Sequence, residues 1–73
     1  MTEIVTMPEP LLQFFEYDHL PTQLREVSRT YHILAHQIAG YYPRNPERTV
    51  ALRKLLEAKD AAVRCHLYVD PSA

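Results

Sequence analysis

The sequence contains one glycine, one cysteine and no tryptophan, and each scarcity removes a class of protein. The lone Cys65 cannot close a disulfide within the chain, and it excludes zinc frameworks built on several cysteines. It fits a reducing compartment. Little β-branched alternation accompanies the single glycine, so a sheet is not expected. No apolar run approaches the length of a membrane span, and no signal-peptide pattern opens the chain. The expectation is a soluble, intracellular protein that does not engage a membrane. There is also no Gly-rich phosphate loop, no serine or cysteine beside an obvious base, and no paired carboxylates in a plausible cleft. The chain reads as a binder, not an enzyme, and no cofactor is implied.

What is present is enough to fold. With 73 residues, 47% of them hydrophobic, the chain suits one small domain near the size where a single core is marginal. Two helices bury only one stripe each, so self-association is expected. The net charge of −1 hides a segregation. Residues 1–20 carry Glu3, Glu9, Glu16 and Asp18 and no lysine or arginine. Residues 21–68 hold all 8 basic residues against Glu26, Glu47, Glu57 and Asp60. The body is therefore basic and suits a small anionic ligand. A binder of duplex nucleic acid would be more basic overall and is disfavoured.

The expected fold is all-α: an antiparallel helical hairpin with a short N-terminal helix or arm, assembling as a homo-oligomer. Residues 1–10 read as a flexible segment without regular structure, and 11–70 as a single domain. Leu11, Leu12, Phe14, Phe15, Tyr17 and Leu20 are too apolar to stay in water, so 11–20 should fold back on the hairpin. A first helix over 21–39 starts at Pro21, with His19 or Leu20 near the cap. Leu24, Val27, Tyr31, Leu34 and Ile38, flanked by Ser28 and Ala35, give it an apolar stripe. Gly40 is expected to stop it, leaving 41–44 as the turn. Asn45-Pro46-Glu47 is a strong start for a second helix over 45–68, and Pro71 ends any continuation. Arg53/Glu57 and Asp60/Arg64 add pairs four apart.

On a helical wheel the second helix has two packing sides. Leu52, Leu55, Leu56, Val63 and Leu67 face the first helix. Ala51, Ala58, Ala61, Ala62 and Cys65 form another face, which either admits a neighbouring helix or is a plain exposed surface chosen for helix propensity. On the first helix Arg25, Arg29, His32 and His36 share a face, either a solvated basic surface or a cationic wall for phosphate. His32 and His36 have a spacing that a metal can bridge. No third ligand is evident and Ile33-Leu34-Ala35 lacks the glutamate of a zinc-protease motif, so no metal site is assigned, and a metal-dependent enzyme through His32 and His36 is the weakest of three readings. Arg48, Lys59 and His66 fall beside the leucine stripe, where they either snorkel or point into a pocket between subunits. Tyr17, Tyr31, Tyr41 and Tyr42 are either core or stacking faces for bases.

The run Phe15-Glu16-Tyr17-Asp18-His19-Leu20-Pro21, followed by Ser28-Arg29 and Leu34-Ala35, resembles the start of the phage anti-CBASS cyclic-oligonucleotide sponge family. Glu47-Arg48-Thr49, then Ala51 through Arg64, looks like that family's second helix. A similar hairpin occurs in the related Thoeris anti-defence sponges. The resemblance covers residues 14–68. It implies a helical homohexamer with ligand pockets between subunits, acting in the cytoplasm of an infected bacterial host. Such proteins bind cyclic dinucleotides, and many bind cyclic trinucleotides at separate pockets, without cleaving them. Sequestration keeps CBASS effectors inactive. Tyr17 sits in the matching motif and is the candidate for stacking on a base. Arg48, Arg53, Lys59 and Arg64 match the family's basic positions and are candidates for phosphate. Arg29 and His32 come from the wheel, with histidine where a lysine would be expected; tighter binding as His32 protonates at lower pH follows. A second reading, from another class, is a protein-interaction module that docks through the alanine face.

Overall fold

The computed structural model describes residues 9–71. Of the expected N-terminal segment, residues 1–8 lie outside that range, while Glu9 and Pro10 belong to the folded part. Three helices follow in order: a short 3-10 helix, Pro10–Phe15; α1, Thr22–Tyr41; and α2, Pro46–Leu67. There is no strand among the described residues. The two long helices pack as a hairpin and the 3-10 helix lies against both.

The limits of α2 follow from local chemistry. Asn45 is extended, and its Oδ1 accepts from the Arg48 amide at 2.8 Å, satisfying one of the first-turn donors. Pro46 has no amide proton to leave unpaired, and Glu47 complements the positive end of the helix dipole. Tyr68 closes the helix in an extended conformation. At the start of α1, Pro21 is the cap and Thr22 the first helical residue, and the Pro21 carbonyl accepts from Leu24 and Arg25 at 2.9 Å each.

Gly40 does not stop α1. The helix continues through it to Tyr41, with no glycine at positive φ among the described residues. Glycine characteristically ends a helix by adopting the left-handed conformation, which Gly40 does not. Here Tyr42 turns to extended geometry instead, its amide bonding the Ile38 carbonyl at 3.2 Å, just before Pro43. The residue preceding a proline is pushed toward extended backbone, so Pro43 sets the boundary.

The core is small. Leu11, Phe15, Ala35 and Leu52 are its buried apolar residues, with Leu12, Tyr31, Ile38, Leu55 and Leu56 packed around them. Leu34 and Leu67, expected in the stripes, are exposed. The buried face of α1 is centred on Ser28 and Ala35, which turns Leu34 outward, and Leu67 lies in the last turn of α2. The expected Arg53/Glu57 and Asp60/Arg64 pairs do not form. Glu57 instead approaches Lys54, and Asp60 approaches Lys59, each at 3.8 Å.

Candidate functional site

Six of the 8 lysines and arginines fall into three groups set by their spacing on each helix, with Arg44 in the turn and Lys54, beside Glu57, left outside them. Arg48 and Lys59 are eleven apart, about three full turns, so both point into the seam beneath the 3-10 helix. Arg53 and Arg64 have the same separation on another face of α2, and both are exposed. Arg25, Arg29, His32 and His36 line one edge of α1.

The seam pair holds the fold. Arg48 Nη2 donates to Glu9 Oε1 at 2.8 Å, with both side chains nearly buried. Its Nη1 donates to the carbonyls of Ala39 and Tyr42 at 3.0 Å each, capping the end of α1. The other oxygen of Glu9 accepts from the Leu11 amide at 3.5 Å and so starts the 3-10 helix. Lys59 Nζ donates to the Phe14 carbonyl at 2.6 Å and lies 5.8 Å from the centre of the Phe15 ring. His32 Nδ1 donates to the Phe15 carbonyl at 3.1 Å. Carbonyls at a helix end lack intrahelical partners. Here α2 supplies a cation to one and α1 an imidazole to the next. Two candidate ligand residues, Arg48 through both Nη atoms and Lys59 through Nζ, thus donate to groups within the protomer, while Arg48 Nε is buried without a partner among the described residues.

The edge of α1 is different. Tyr17 meets the His32 ring edge to face, centroids 4.9 Å apart at 68°. His36 continues the row at 4.3 Å and 46°. Because the Phe15 carbonyl can only accept, His32 carries its proton on Nδ1 in that bond, and Nε2 points away from it. Arg29 and His36 are exposed, Tyr17 and His32 half-buried. Arg25 is exposed and donates from Nη2 to Thr22 Oγ1 at 3.0 Å. The structure therefore brings Tyr17, Arg29 and His32 to one edge, whereas Arg53 and Arg64 lie on another face of the hairpin.

Arg64 has surroundings of its own. With Ala61, Cys65 and Tyr68 it lines an open depression near the end of α2. Ala51, Ala58, Ala61 and Cys65 are all exposed, and Ala62 is partly so. A second depression, at the hairpin turn, is lined by Ile38, Tyr42, Asn45, Glu47, Arg48 and Ala51.

Sequence reasoning passed over Glu9 as the partner of Arg48, and Tyr68 beside Arg64. The second was readable, since 61, 64, 65 and 68 have helical spacing. The first was not, because 39 residues separate the pair. No group of three His, Cys, Asp or Glu side chains gathers as a metal site among the described residues. No helix there is long and apolar enough to cross a membrane. No family model, curated protein or solved structure matches this chain.

Proposed function

We propose that this protein is an oligomeric sponge that binds cyclic oligonucleotides and holds them without cleavage. The observation that carries the reading is the aromatic row Tyr17–His32–His36 with exposed arginines beside it. Planar rings offer stacking faces to any base, and guanidinium forks match phosphate oxygens. A cyclic di- or trinucleotide presents both in one compact anion.

The resemblance to anti-CBASS sponges supports the same chemistry and adds the biological setting: cytoplasm of an infected bacterium, with CBASS effectors deprived of their signal. Homo-oligomerisation, as a hexamer on the family pattern, is supported by the small core and the uncovered alanine face, since residual burial must come from neighbours. Arg53 and Arg64 are exposed cations on α2 that could serve a pocket completed by a neighbour. Arg48 and Lys59 are assigned instead to placing the arm that carries Tyr17.

Calorimetric titration with a panel of cyclic di- and trinucleotides tests the proposal. Saturable binding of at least one, with intact nucleotide recovered after denaturation, is the expected result; no binding to any member overturns it. The exposed alanine face also favours a second reading, a module that docks on a host or phage protein. That reading predicts partner binding that survives loss of Arg29, Arg53 and Arg64.

A further inference from the structure

We propose that His32 and His36 form a two-histidine chelate for a borderline-soft divalent cation such as Zn²⁺, Ni²⁺ or Cu²⁺. Histidines four apart on a helix share a face, the arrangement by which helical pairs bind zinc. Spacing alone is weak, but the structure adds two observations. The rings already lie side by side, 4.3 Å between centroids. Two imidazoles bound through Nε2 at about 2.0–2.1 Å to one tetrahedral or octahedral ion place their centroids about 4.5–5.2 Å apart. A small opening of the exposed His36 side chain supplies the difference.

The second observation concerns the other nitrogen of His32. Ligating histidines characteristically donate their remaining N–H to a carbonyl or carboxylate, which fixes tautomer and ring orientation. His32 does this through Nδ1 to Phe15 at 3.1 Å. Its Nε2 takes no partner among the described residues. The orientation of the ring is thus fixed by a different element from the one that carries it, with Nε2 directed away from that bond.

No third side chain of the usual ligand types joins the pair. The remaining positions go to water, which makes this a site of modest affinity. Arg25 and Arg29 on the same face oppose a cation. Both are exposed to solvent, and Arg25 is turned back to Thr22, which moderates the repulsion without removing it. The arginines weaken binding of every divalent cation alike, and the two imidazole nitrogens select Zn²⁺, Ni²⁺ or Cu²⁺ over Mg²⁺ and Ca²⁺, which prefer oxygen.

The test is calorimetric titration of the intact protein with ZnCl₂, NiCl₂ and MgCl₂, without nucleotide. The expected result is one Zn²⁺ or Ni²⁺ per His32–His36 pair and no Mg²⁺ signal. His36→Ala should weaken Zn²⁺ and Ni²⁺ binding about tenfold or more, as expected for losing one arm of a chelate. His32→Asn, whose amide can still donate to Phe15, should do the same with unchanged far-UV dichroism. The double variant Cys65→Ser/His66→Ala should bind as the parent does. Unaltered binding in His36→Ala, or loss of binding in the double variant, overturns the proposal. So does an absence of Zn²⁺ and Ni²⁺ binding in the parent.

Discussion

Arg48 and Glu9, 39 residues apart, meet at 2.8 Å in an ion pair that is almost wholly removed from solvent. One guanidinium thereby joins the start of the 3-10 helix, the end of α1 and the first turn of α2. Removing one partner of a buried pair leaves the other charge and its carbonyls stranded. Arg48→Met should cost on the order of 3 kcal/mol, read as a lower urea midpoint. Arg48→Lys should recover only part of it, because one ammonium cannot reproduce the contacts of both Nη1 and Nη2. Glu9→Gln keeps one accepting oxygen for Arg48 but loses the charge and the acceptor of the Leu11 amide, so it should also destabilise, by less than Arg48→Met. Equal effects from Met and Lys would show that the fork geometry does not matter.

Gly40 offers a test with the opposite sign. It sits inside α1 without positive φ, and a Cβ built there meets nothing within 4 Å. Gly40→Ala should therefore stabilise by about 0.5–1 kcal/mol, through helix propensity and a less flexible unfolded chain. A fall in the melting temperature would mean that Gly40 does act as a terminator.

Ser28 is fully buried, and its hydroxyl has no hydrogen-bond partner. Ser28→Ala removes an unsatisfied polar group and installs a better helix former, so a gain of about 0.5–1 kcal/mol is expected. The melting temperature should rise by several degrees. Destabilisation would reveal that the hydroxyl is bonded in the assembled protein.

These residues also mark how far the sequence could be read. The start of α2 was legible because Asn45, Pro46 and Glu47 act within one turn of each other. The end of α1 was not, because glycine permits a stop without compelling one, and Pro43 two residues after Tyr41 set the limit. Periodicity locates the apolar faces but not their axis to within one residue, so the stripe predicts Leu34 inside, whereas it lies outside. The arm was legible as apolar sequence. The cations that hold it were not, since Lys59 reaches Phe14 across 45 residues and nothing local to either announces the pairing. The row of Tyr17, His32 and His36 was half legible: the wheel put the histidines together, and the fold brought Tyr17 to them.

Ala58 is exposed in the middle of the small-residue face of α2. A glutamate there adds bulk and charge where a neighbouring helix would pack, while leaving the hairpin core untouched. Ala58→Glu should reduce the particle to smaller species by light scattering and abolish nucleotide capture with it, at nearly parental helicity. A persistent oligomer would place the interface elsewhere.

Native mass spectrometry of the protein, alone and with a panel of cyclic di- and trinucleotides, reads assembly and ligand capture in one experiment. An oligomeric sponge should appear as a discrete homo-oligomer, expected to be a hexamer, that gains whole and intact cyclic nucleotides in integral number. A monomer, or an oligomer that retains none of the panel, would contradict it.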